Sequence, residues 1–375
     1  MRSILRWKRA RVRRQAVGTV PESTGETGRF DRHDEGRRRL VGDCGLWLSA
    51  PAWIPLLVGK SIAEDSDVAD VSEIRLGGGQ VLIRFDGGEL TQPRHAVQAW
   101  INRAVVAVVT YYGRLPLTKV EVVVLPSEDG AVHGNTRTHS GRTTIRVQVG
   151  RRVPTAVLSG HWVMAHEFVH LAFPEVPDAH HWIEEGLATY VEPIARAQAG
   201  QVTPDDVWRQ LVEGLPRGLP QPGDAGLDFT PTWGRTYWGG ALFCMLAEIR
   251  IREQSANRCG LQDALRAILG AGGSMAQFWT LERALRIGDS ATGTLALSSL
   301  YSEMRADPVD VDLDALWRRL GVYVDGNELR FDDAAPLASM RIAVTRRPVD
   351  ARIQGSLSLA GADARGVDTR AVPTE

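Results

Sequence analysis

At 375 residues, with 43% apolar and 24% charged content, the chain can bury a sizeable core as one or two domains. A net charge of −1 implies no bulk polyion partner, and a nucleic-acid partner is not expected, since no basic domain, zinc finger or RNA-binding signature stands behind it. Three cysteines, Cys44, Cys244 and Cys259, are too few for a disulfide scaffold; Cys244 reads as a buried thiol in an apolar helix, and a Cys244–Cys259 bridge stays open in an oxidising compartment.

From the amino terminus, residues 1–39 are rich in arginine, glycine and acidic groups and nearly free of apolar residues after Val20, a composition that cannot bury surface. Arg37-Arg38-Arg39, an uncharged stretch from Cys44 to Gly59 and then Ser61-Ile62-Ala63 follow the order of a secretory signal: basic run, apolar run, small-residue site. Residues 1–63 are therefore expected to be a disordered leader with an export signal behind a misassigned start, in a periplasmic or secreted protein. Asp43, two prolines and the length of the leader speak for the cytoplasmic alternative. The apolar stretch is too short for a stable membrane span.

Val71 to Phe85 alternates loosely around Gly77-Gly78-Gly79 and predicts a hairpin. Pro93 to Tyr112 places Val97, Ile101, Val105, Val108 and Val109 at helical spacing. Lys119 to Leu125 predicts a strand, Gly130 to Gly141 a polar loop, and Thr143 to Val149 a second, strictly alternating strand. A helix follows and is stopped by Pro174. A further helix covers His180 to Glu192. Gly214 to Thr232 is dense in proline and glycine and predicts a crossing loop. Helices are then expected over 236–253, 261–270, 275–286, 294–305 and 312–320. The expected organisation is a 64–214 α/β subdomain, a 215–348 helical subdomain and a mobile tail at 349–375.

The helix before Pro174 carries His166-Glu167-Phe168-Val169-His170, the pattern H-E-x-x-H. Positions four apart on a helix return to within roughly 40° of one another, so both imidazoles reach one small ion. Glu167 is then placed to act as base on a water at that ion. The flanks, Trp162 to Ala165 and Leu171 to Phe173, are apolar, and a polar stripe in an apolar helix is costly unless its groups are paired or bound to metal. A third ligand is needed. The metzincin extension requires Gly at 173 and His at 176, where Phe173 and Val176 stand. A glutamate from the next helix is the alternative, and Glu184 and Glu185 compete for it. Neighbouring helix positions point about 100° apart, so one of the two faces the ion. His180 and His181 could ligate by residue type, but read as a solvated helix start or as polar groups on the substrate side. Thr189, one turn beyond Glu185, reads either as a hydrogen-bond support for a ligand or as a plain surface threonine.

The run Trp182-Ile183-Glu184-Glu185-Gly186-Leu187-Ala188-Thr189-Tyr190 after H-E-x-x-H resembles the gluzincin zinc metallopeptidases, in particular the catalytic domain of the glycyl aminopeptidase and aminopeptidase N types. The resemblance covers roughly residues 155–345. It implies an α+β, thermolysin-like zincin: a small mixed sheet plus the active-site helix, then a mostly helical C-terminal half. It implies one Zn²⁺ held by His166, His170 and Glu185, with Glu167 as general base for metal-activated water. Arg235 to Phe243 is similar to the Y-x-K-G segment of these enzymes, which implies that Tyr237 steadies the oxyanion; Gly239 stands where the lysine is expected. The strand before the zinc helix commonly borders the cleft in this family, which makes 143–149 the expected peptide edge. The G-x-M-E-N segment is absent, so aminopeptidase activity is not implied. The implied partner is a peptide or protein substrate. A non-peptide amide or ester substrate, or a catalytically silent binding protein, are the alternatives. Oligomeric state is not specified by the sequence.

Overall fold

The computed structural model describes residues 71–326 and 328–348. The expected leader, export signal and tail lie outside the described residues. β1 (Val71–Leu76) and β2 (Gly79–Phe85) form the expected hairpin. Its turn places Gly77 and Gly78 at φ of 61° and 78°, where L side chains are strained. β2 runs parallel to β3 (Lys119–Ser127), and their crossover is α1 (Arg94–Tyr112), which ends on Gly113 in the left-handed region. Val97, Ile101, Val105 and Val108 of α1 and Val120, Val122 and Val124 of β3 are all fully buried. Helical spacing meets strand alternation there, and this is the core on which the site is built.

The sheet order is β1-β2-β3-β5-β4. β5 (Arg142–Gly150) is therefore an inner strand, parallel to β3 and antiparallel to β4 (Val132–His139). This corrects two expectations. The segment 130–141 contains a strand, and the outermost strand beside the cleft is β4, not residues 143–149. β4 alternates, but with Gly134 and Thr136 on its inner face where core strands carry Val or Ile, because that face meets the carboxylate of Glu167 and not an apolar layer.

α2 (Thr155–Ser159) leads to α3 (Val163–His170), the H-E-x-x-H helix, and Trp100 Nε1 ties its entrance to α1 by donating to the His161 carbonyl at 2.8 Å. α4 (His181–Gln198) is apolar on most sides, with Trp182, Ile183, Leu187, Tyr190, Val191 and Ile194 buried, as its central position requires. α5 (Pro204–Gly214) was not anticipated, although Thr203-Pro204-Asp205-Asp206 forms a capping box with proline in the first turn. A π-helix (Gly234–Gly239) runs into α6 (Gly240–Gln254). α4 and α6 cross at bare backbone: a Cβ on Gly186 would land on Gly240, and one on Gly240 would land on the Trp182 carbonyl oxygen.

α7 (Leu261–Gly270), α9 (Ala296–Met304) and α10 (Leu313–Leu320) fall where periodicity placed them. α8 (Leu281–Thr292) starts later than the expected 275. The reason is a tertiary strap. Met275 N donates to the Leu171 carbonyl, Glu175 N to the Gln277 carbonyl and Trp279 N to the Glu175 carbonyl, and Thr280 then caps the helix. β6 (Val322–Asp325) and β7 (Glu328–Phe331) pair antiparallel before α11 (Ala338–Thr345). The architecture is α+β, a small mixed sheet followed by a mostly helical half. Cys244 is a buried free thiol and Cys259 is also free, so the bridge left open by the sequence is not formed. Among the described residues, no helix is long and apolar enough to cross a membrane.

Candidate active site

α3 has two turns, and its one-turn repeat sets His166 above His170 with ring centroids 4.8 Å apart. α4 lies across it and brings up Glu185, whose Oε2 is 3.2 Å from His166 Nε2 and 3.6 Å from His170 Nε2. The three side chains are nearly buried, and their candidate ligand atoms lie within 4.8 Å of one another. Glu184 is turned elsewhere: it accepts from the Val176 backbone N–H at 3.2 Å and holds His181 Nδ1 at 3.0 Å. Of the two competing glutamates, Glu185 is the one that reaches both imidazoles. Burial alone would raise its carboxyl, but the His166 hydrogen bond and the neighbouring imidazoles outweigh that and hold it at about 2. Burial and the adjacent His166 push His170 down to about 4, so its imidazole is neutral and free to ligate near neutral pH.

Two nitrogens and a carboxylate oxygen form a donor set suited to zinc, and three protein ligands is the number that leaves a catalytic ion a further position. The residues present therefore fit one divalent ion.

Glu167 is buried, and burial raises its carboxyl above the usual carboxylate range. Thr136 of β4 opposes this by donating its hydroxyl to Glu167 Oε2 at 2.6 Å. A Cβ on Gly134 would sit 2.5 Å from Glu167 Oε1, so glycine is what lets the carboxylate lie against the strand. Neither Gly134 nor Thr136 was picked out from the sequence. The available signal was the period-two placement of small residues in Val132 to Thr138, with Gly134 and Thr136 on one face.

Tyr237 stands on the π-helix with its ring stacked on His166, 6.4 Å between centroids and 20° between planes. Burial, then the nearby Glu185 carboxylate, push its phenol up to about 12, so it remains a donor across the physiological range. Together these groups line a cleft of about 220 Å³ that also reaches Tyr112, Phe173 and Met275. His180 is not part of it: its Nδ1 pairs with Asp228 Oδ1 at 2.9 Å, on a carboxylate that also accepts from Trp182 and Tyr301. His181 lies at the cleft wall, with Nε2 3.5 Å from Glu185 Oε1. Thr189 lines a neighbouring cavity.

No protein-family model matches the chain, and no curated protein is significantly similar to it. Among solved structures, it is similar to an aminopeptidase N family protein from Idiomarina loihiensis, at 13% identity and a TM-score of 0.49 over 69% of this chain and 50% of that one. It is also similar to an M1 zinc metallopeptidase from Deinococcus radiodurans, at 16% identity and a TM-score of 0.43 over 64% of this chain and 52% of that one. The chain spans about half the length of these structures.

Proposed function

We propose that the protein is a zinc metallopeptidase of the gluzincin kind. The observation that carries this is the convergence of His166, His170 and Glu185, whose candidate ligand atoms lie within 4.8 Å of one another, beside the buried carboxylate of Glu167. His166, His170 and Glu185 would hold a zinc ion, which would supply Lewis acidity at this site. Glu167 accepts the proton of the attacking water and passes it to the leaving amine nitrogen. Thr136 keeps the carboxylate aimed, with its other oxygen left for that exchange. The Tyr237 phenol donates to the oxygen on which negative charge develops. β4 offers an outer backbone edge beside these groups, along which an extended peptide can add as a further strand.

The test is metal analysis of the purified protein together with a digest of a peptide library, supplemented by ester and non-peptide amide substrates. The expected result is one zinc per chain and peptide cleavage, with Glu167→Gln retaining zinc and losing turnover. Full turnover in Glu167→Gln removes that residue from the mechanism. Cleavage of esters or non-peptide amides alone, with peptides untouched, moves the enzyme to a different substrate class.

A further inference from the structure

Behind the metal cleft lies a second and larger cavity, about 470 Å³ against about 220 Å³. His166 and Tyr237 line both, so a single wall of two rings divides them. The aromatic series continues on the far side. Trp162 meets His166 edge-on at 5.3 Å between centroids, and Trp233 stacks on Tyr237 at 5.8 Å and 28°. Trp162 and Trp233 are 48% and 59% exposed at this cavity. Leaving two indoles in water forgoes the gain from covering them, and such surface commonly marks a binding site. Trp238 forms the base, and its ring lies so close to Gly214 of α5 that any side chain at 214 would overlap it.

Charge does not select at this site. Asp206, Glu213, Arg209 and Arg217 line it with balanced sign. The one buried carboxylate, Glu192, is already bound by Arg196 at 2.7 Å. What remains distinctive is a slot walled by flat rings, directly beside the groups assigned to bond cleavage. Rings of this kind attract other rings by stacking and edge contacts beyond simple area burial.

We propose that the Trp162–Trp233 cavity is the subsite for a large aromatic side chain of the substrate, adjacent to the peptide bond that is cleaved. The proposal rests on the peptidase reading above and adds the substrate class. Trp233 is the specificity-determining residue, and Trp162 is a second aromatic ring of the same lining.

Two measurements test it. In the first, wild type and Trp233→Ala digest matched peptides that carry Phe, Ala or Lys beside the scissile bond. Wild type is expected to favour Phe over Ala by tenfold or more in kcat/KM, and Trp233→Ala to bring that ratio below about threefold. Trp233→Phe should keep most of the preference, which separates ring loss from misfolding. In the second, calorimetry on Glu167→Gln measures binding of L-phenylalaninamide and L-alaninamide. The aromatic amide is expected to bind at least tenfold more tightly, and Trp233→Ala in that background to erase the difference. Peptide cleavage without aromatic preference, or with preference for Lys, overturns the subsite and leaves the peptidase reading intact. Aromatic binding with no cleavage of any peptide overturns the peptidase reading and the substrate role of the cavity with it.

Discussion

Glu167 is held by two small residues on β4, and each makes a separable contribution. Alanine at Gly134 would push a methyl group against the Glu167 carboxylate and displace it. A shift of about 1 Å at a reacting group costs on the order of a hundredfold in rate, so Gly134→Ala should lose roughly that factor in kcat while metal content stays at one per chain. Thr136→Val keeps the volume and removes the hydroxyl that donates to Glu167. A hydrogen bond to a charged group is worth about 1.5–3 kcal/mol, which predicts a loss of roughly tenfold to a hundredfold. Steady-state kinetics beside metal analysis reads both, and wild-type rates in either variant would show that β4 does not support the base. At this scale the sequence was legible where the chemistry is local. His166, Glu167 and His170 stand within five residues and announce themselves. The choice between Glu184 and Glu185 was carried by family resemblance, since spacing alone allows either. The Thr136–Glu167 contact joins residues 31 apart across a strand and a helix, and no local pattern reports it.

The elements show the same division between local and long-range causes. α1, α7 and α10 were legible because each buries apolar residues at helical spacing and caps or glycines mark their ends, and α9 by its apolar spacing alone. β4 was misread because its inner face serves the cleft and carries glycine and threonine where a core strand shows branched aliphatics. Residues 275–280 were read as helix because their pairing partner, Glu175, lies a hundred positions earlier. The close crossing of α4 and α6 was equally hidden, although both glycines were in view. Gly186 follows the candidate ligand Glu185, so the crossing also fixes how that carboxylate is presented. Gly240→Ala must force the helices apart, at a cost of roughly 1–3 kcal/mol by analogy with other overpacked contacts. Thermal unfolding should show a loss of several degrees, accompanied by weaker zinc binding. An unchanged melting temperature would mean that the crossing yields without strain.

For the whole molecule, the order of periodic segments supplied the succession of strands and helices, and the family resemblance supplied the α+β class. Strand order did not, because pairing depends on which edges meet in space. The candidate metal site joins α3, which carries His166 and His170, to α4, which carries Glu185. An ion that binds only the folded chain stabilises it by mass action, about 2.7 kcal/mol at a hundredfold excess over Kd. At roughly 2–4 °C per kcal/mol for a domain somewhat smaller than this one, chelation should lower the melting temperature by about 5–10 °C. Scanning fluorimetry with and without chelator reads this, and His170→Ala should abolish the difference. A chelator-independent melting temperature in the zinc-loaded wild type would contradict a structural coupling between ion and fold.

The stretch Gly234–Gly239 is wound as π-helix and passes directly into the ordinary winding of α6. Every residue gained or lost in an α-helix turns what lies beyond it by about 100°. A wide turn is thus a surplus residue absorbed without breaking the rod, and it sets a compass bearing for the side chains it carries. Tyr237 owes its heading toward His166 to that surplus, so shortening the segment by a single residue would leave the cylinder whole and point the phenol at the wrong quarter.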